Sequence, residues 1–204
     1  MSRPPKIPKE LILQASFDLL INEGYAAVTI KTIAKKLNCS TQPISWHFGS
    51  MNALRVELLE YALQYAKKNY SVPITNPFYA FYLTGKSHIN MALKAPHLFR
   101  FLYMGESGMQ INKEYPSVTY SAPKIAEFLG ISIDEAIEYI QTMLFYTHGI
   151  SSMIVNDTIN ETADHIFEMI DRVAVKLLVS YGIPHEIGLK LIKPPVNESS
   201  NAPT

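Results

Sequence analysis

The chain has 204 residues, with 18 Lys and Arg against 18 Asp and Glu, 48% hydrophobic residues and a single cysteine. That length holds one domain or two small ones, and so much apolar material excludes wholesale disorder. One cysteine excludes an internal disulfide framework and a multi-cysteine zinc site.

The richest apolar stretch, Ala136 to Val155, is interrupted by Glu138, Gln141 and His148, so no membrane span is expected. Glu10, Gln14 and Asp18 break up any signal-peptide core, and the expectation is a soluble cytoplasmic protein. The neutral total hides a split. Up to Tyr70 there are nine cations and five acids, a net +4, and the remainder carries −4. Between Gly24 and Val56 stand four cations and no acid. Such a local excess steers polyanions, although an ordinary solvated face has the same charge pattern.

Four helices are predicted first. Leu11, Ile12, Ala15, Leu19 and Leu20 follow Pro8 at helical spacing, and Gly24 ends the run. Thr29 is an N-cap for a short helix with the stripe Ile30, Ile33, Ala34 and Leu37, which Asn38 ends in the left-handed conformation. Ser40 is the expected cap of a second short helix, Thr41 to His47. Pro43 is tolerated there because first-turn amides lack helical partners. Ser50 caps a longer helix with Leu54, Leu58, Tyr61 and Tyr65 on one face.

A short helix, a three-residue turn and another short helix make a helix-turn-helix. Ile33, Ala34 and Leu37 would pack on Ile44 and Phe48, leaving Thr41, Gln42, Ser45 and Trp46 outside. Amide and hydroxyl groups beside Lys31, Lys35 and Lys36 suit a DNA groove flanked by phosphates.

The stretch from Thr29 to Leu54 resembles the DNA-binding domain of TetR/AcrR-family transcriptional regulators. Their pattern is T-x-x-x-I-A, a G-V-S turn, L-Y-x-H-F and S-K-x-x-L. Thr29, Ile33-Ala34, Ser40, Ile44, His47-Phe48, Ser50 and Leu54 keep it. Three positions depart from it. Asn38 replaces the turn glycine, Ser45 a tyrosine that contacts the DNA backbone, and Met51 a phosphate-binding lysine. The last two imply fewer backbone contacts and a shallower salt dependence.

By position, the resemblance implies that Thr41, Gln42, Trp46 and His47 face double-stranded operator DNA. Thr29 and Ser40 would present cap-region groups to phosphates. Gln42 is the best base reader, since its amide pairs in bidentate fashion with adenine. Trp46 also reads as a core aromatic and His47 as a packing residue against the first helix. Cys39 reads as a small buried turn residue.

Beyond a Ser/Pro/Asn-rich linker from Tyr70, Asn76-Pro77 opens a helix to about Ala95, where Pro96 ends it. A short segment, His97 to Met104, and a polar loop through Gly105, Gly108 and Pro116 follow. Capping boxes then open two long helices, Ser132 with Glu135 and Thr158 with Glu161. Gly182 and Pro184 close the second, and the polar tail from Pro194 is expected to be disordered. Both long helices are apolar on more than one face. In the first, Phe145, Tyr146 and Met153 widen the stripe; in the second, Phe167, Met169, Val175 and Val179 do. Such helices need a partner, and a homodimer through 132–155 and 158–181 as a four-helix bundle is the economical solution; a larger intramolecular core is the other. The resemblance implies the dimer.

Aromatics and methionines crowd the segment between Phe78 and Met109. They read as core, or, as the resemblance implies, as walls of a cavity for a small-molecule effector. Phe81, Tyr82, Phe101, Met104, Met143, Tyr146 and His148 are the expected lining. His148 is either a ligand contact or a satisfied core histidine.

No His-Glu-x-x-His, nucleophile elbow, phosphate loop or dinucleotide fingerprint occurs, so neither catalysis, a metal nor a cofactor is expected. The expected fold is all-α with about nine helices. A three-helix helix-turn-helix DNA-binding domain spans 8–70, including a linking helix over 50–70. An effector-binding and dimerisation domain spans 71–193, and a tail covers 194–204. The expected function is that of a ligand-responsive regulator, most simply a repressor released by a hydrophobic or aromatic effector. The alternatives are a regulator answering to a protein partner, or a helical carrier or enzyme with a remnant DNA-binding domain.

Overall fold

The computed structural model describes residues 7–70, 76–107 and 116–193, and these form ten α-helices in two compact units. The first unit contains α1 (Lys9–Glu23), α2 (Ile30–Lys36), α3 (Gln42–Phe48), α4 (Met51–Tyr70) and α6 (Pro96–Tyr103). Its core is Ile12, Leu20, Ile33, Ile44, Leu54 and Leu58, all essentially inaccessible. Leu11, expected in the α1 stripe, is exposed; Phe17 is buried instead and packs its ring 5.1 and 4.7 Å from those of Tyr61 and Tyr65 on α4.

Gly24 closes α1 at φ 86° and ψ 167°, a backbone region that essentially only glycine enters. A side chain there would also meet the His97 ring, whose Nδ1 lies 3.0 Å from the position of a Cβ.

Helix α6 is the main departure from the expected division at residue 70. Residues 94–107 cluster with the first unit, where α6 packs on α1 and α4. There its apolar face, Leu98, Phe99, Phe101 and Leu102, is buried. Phe101 stacks 5.0 Å from Tyr25, in the turn that follows α1.

The second unit contains α5 (Pro77–Lys94), α7 (Pro116–Leu129), α8 (Ile133–Val155), α9 (Ala163–Ser180) and α10 (His185–Leu191). Asn76 caps α5 by accepting from the Tyr79 amide at 2.9 Å, and Ser132 forms the expected capping box with Glu135. The box expected at Thr158 and Glu161 does not open α9. Thr158 instead donates to the Met153 carbonyl at the end of α8, and Glu161 pairs with His165 at 2.6 Å. Thr162, which accepts from the His165 amide, is the cap that starts α9.

Helix α7, for which no element was predicted beyond a loop as far as Pro116, carries the buried stripe Val118, Ala122, Ile125 and Ala126. Pro123 is accommodated on its exposed side. Pro184, expected only as a stop, also serves as the N-cap of α10, whose buried Gly188 lies against Val175 and Leu178. The tail from Pro194 lies outside the described residues.

Candidate nucleic-acid interface and ligand cavity

The turn between α2 and α3 is built from local bonds. Thr29 accepts from the Thr32 amide, and the Thr32 hydroxyl accepts from the Thr29 amide, so both ends of the first α2 turn are satisfied. Asn38 takes φ 48°, and the Cys39 amide donates back to the Ala34 carbonyl at 3.0 Å, leaving Cys39 half-buried. Helix α3 begins at Gln42, one residue later than expected, with Thr41 at helical dihedrals as its N-cap and no side chain capping it. Gly49 at φ 69° then releases the chain, and Ser50 caps α4 by accepting from Ala53.

Ile44 and Phe48 anchor α3 in the core and thereby turn its other side outward. Ser40, Thr41, Gln42, Ser45 and Trp46 are all exposed, as are Thr29, Lys31, Lys35 and Lys36. Trp46 is 69% exposed, which excludes the core-aromatic reading. Its ring stands edge-on to His47, 4.9 Å away. His47 is half-buried, with Nε2 2.9 Å from the Ile7 carbonyl, so it packs the start of α1 against α3. Lys36 reaches Asp18 of α1 at 3.6 Å, an exposed pair that positions the ammonium loosely. The surface therefore offers one amide, several hydroxyls and an indole, flanked by three lysines. Groups of these kinds are able to hydrogen-bond base edges and to neutralise phosphates.

A cavity of about 360 Å³ lies within the second unit. Helix α5 contributes Phe81, Tyr82, Gly85 and His88; α7 contributes Tyr120 and Lys124; α8 contributes Tyr139, Met143 and Thr147. Of the expected lining, Phe81, Tyr82 and Met143 are present. Phe101 and Met104 are not, because α6 folds into the first unit. Tyr146 is packed on the core, and His148 lies behind His88 with its ring 5.8 Å away. The sequence reading missed His88, although Phe81, Gly85 and His88 recur at helical spacing on one face. It missed Tyr120 and Lys124 because α7 was not foreseen.

Burial governs the electrostatics of this site. It pushes His88 down to about 4, with His148 adding to the effect, and it lowers His148 too, so both imidazoles are neutral at pH 7. The phenols of Tyr82 and Tyr139 are raised, chiefly by burial, and remain hydrogen-bond donors. Tyr82 donates to Asp171, whose charge is balanced by Lys86 at 2.9 Å. The fully buried Tyr139 hydroxyl has no partner among the described residues.

No three His, Cys, Asp or Glu side chains among the described residues come together to hold a metal ion, and no described helix is long and apolar enough to cross a membrane.

The helix-turn-helix holds its second helix outward beside a lysine cluster, and the second unit encloses a cavity. Residues 12–58 match the family model of bacterial regulatory proteins, tetR family. The fold is similar to the crystal structure of a TetR variant from Acinetobacter baumannii AYE in complex with minocycline, with a TM-score of 0.55 and 18% sequence identity over 87% of this chain and 97% of that one. No curated protein matches the sequence significantly. The family match is confined to the helix-turn-helix segment, which is similar to the DNA-binding part of that family.

Proposed function

We propose that the protein is a homodimeric, ligand-responsive repressor whose α3 enters the major groove of an operator. Gln42 reads a base edge, Thr41, Ser45 and Trp46 contact the groove wall, and Lys31, Lys35 and Lys36 neutralise phosphates. The observation that carries this reading is the exposed polar face of α3 beside three lysines, with Ile44 and Phe48 fixing its orientation from beneath.

Dimerisation places two copies of α3 on successive turns, about 34–36 Å apart. The exposed ridge Gln141, Phe145, Gly149 and Met153 along α8 supports a face shared with a second copy, since Gly149 permits close approach. On α9 the expected second apolar face is narrower. Val175 is buried, Phe167 and Met169 are half-buried, and Glu168, Arg172 and Lys176 form the exposed ridge.

The cavity is the effector site in this reading, and the minocycline held by the structurally similar TetR variant supports a small molecule there. Helix α5 lines the cavity and continues through Ala95 directly into α6, which packs on α1 and α4. A ligand that shifts α5 therefore pulls on α6 and moves the helix that follows α3. A coupling of about 1–3 kcal/mol weakens operator binding roughly 5- to 150-fold.

A gel shift with the promoter region beside the protein's own gene tests the reading. Binding that survives competitor DNA at low salt, and weakens as salt rises, is expected. A folded protein that binds no better than to random duplex overturns it.

A further inference from the structure

The reading of the cavity as an effector site leaves open what chemistry it selects, and charge separates the candidates. Aromatic walls alone would attract a cation over their faces. Yet none of the described lining residues is a carboxylate. The nearest acid bonded to the wall, Asp171 behind Tyr82, is already compensated: Lys86 lies 2.9 Å from it, with Nζ 5.0 Å over the Tyr82 ring and 5.5 Å over that of Phe167. Among the described lining residues no acid is left to pair with a ligand cation.

Lys124 stands in the opposite situation. It lines the cavity from α7, on the exposed side, with Nζ 3.7 Å over the Tyr120 ring, and no carboxylate among the described residues pairs with it. Tyr139 lines the cavity too, and its hydroxyl is buried with no partner among the described residues. An orphaned buried hydroxyl is costly, and a ligand oxygen would restore its bond. The rest of the wall combines apolar Phe81, Met143, Leu144 and Ile170 with the polar groups of Thr84, His88, Ser121 and Thr147. The volume of about 360 Å³ lies at the small end of ligand sites, which run from about 300 to 1,000 Å³.

We infer that the cavity selects a small aromatic monoanion, a carboxylate in the simplest case, with its anionic end at Lys124, its rings against Phe81 and Met143, and a second oxygen on the Tyr139 hydroxyl. The inference rests on the effector-site reading of the cavity.

The test is calorimetric titration of the full-length protein with three matched biphenyls. Each carries a phenol at one end; the other end is a carboxylate, its neutral amide or an aminomethyl cation. The carboxylate is expected to bind about tenfold or more tighter than the amide, the scale of one charge-assisted hydrogen bond, and the cation weakest. Lys124→Gln, a surface change, should erase the preference for carboxylate over amide. Tyr139→Phe should weaken the carboxylate and the amide by a similar factor, leaving the preference intact. If that variant melts early, the Lys124→Gln result decides alone.

Equal or tighter binding of the cation, a preference untouched by Lys124→Gln, or no binding of any probe overturns the inference. A parallel gel shift keeps the two readings apart. Carboxylate binding without release of the operator supports the anion selectivity and overturns effector control.

Discussion

Gly24 shows how one residue without a side chain can fix a junction. Its dihedrals belong to a region closed to other residues, and the His97 ring occupies the space a methyl group would need. Gly24→Ala is expected to cost about 1–3 kcal/mol, read as a lowered urea midpoint. Adding His97→Ala should recover the steric share and leave the backbone share.

The interface residues divide by partner. Gln42 is exposed and anchored only through its helix, so Gln42→Ala should relax discrimination at one base position by about 1–3 kcal/mol without lowering the melting temperature. Lys36→Ala should instead weaken binding to all sequences alike and reduce the salt slope by about one unit, since the Asp18 pair it gives up is exposed. Binding isotherms against an operator and its single-base variants, across a salt series, check both.

At the scale of elements, α5 and α8 carry a pair of histidines whose burial couples them to pH. Both imidazoles resist protonation in the folded state, whereas in the unfolded chain they titrate near 6.5. Between about pH 6.5 and 4 the unfolded state therefore binds more protons, and stability falls as the solution is acidified. For His88 the loss reaches up to about 3 kcal/mol. Denaturation midpoints at pH 7 and 4.5 should show it, and His88→Gln should flatten the profile.

Local chemistry also explains which elements were readable in advance. Helix starts at Thr29, Asn76 and Ser132 were foreseen because a cap bonds a backbone amide within three residues. The start of α9 was misplaced because two threonines, at 158 and 162, offer the same local signal. Only Thr162 is followed by helix, since Thr158 is already committed to the last turn of α8. Helix α7 was hidden by Pro116, which is tolerated at the first helical position, and by Pro123 inside the helix.

For the whole molecule, the dimer is the decisive expectation. Phe145 is 59% exposed and Met153 43% exposed on one ridge of α8, an arrangement that water disfavours and a second copy would bury. Phe145→Glu should leave the helical content intact, shift the protein to a monomer in sedimentation, and reduce operator affinity roughly a hundredfold or more through lost bivalency. A dimer that persists with this change would place the contact elsewhere.

The linear order of residues was sufficient for the helix-turn-helix and for the chemistry it displays. Caps, the Asn38 turn and the Ile33, Ala34, Ile44 and Phe48 spacing act over a few residues, and they settle which side of α3 is left outside. Packing over long sequence distances decided the rest. Phe101 and Phe81 have the same apolar character, yet one stacks on Tyr25 in the DNA-binding unit and the other lines the cavity. Lys124 and Tyr139 meet the same space from helices of different origin. Periodicity tells which face of a helix leaves water; what receives that face depends on the other helices, and only their arrangement assigned the cavity its described walls.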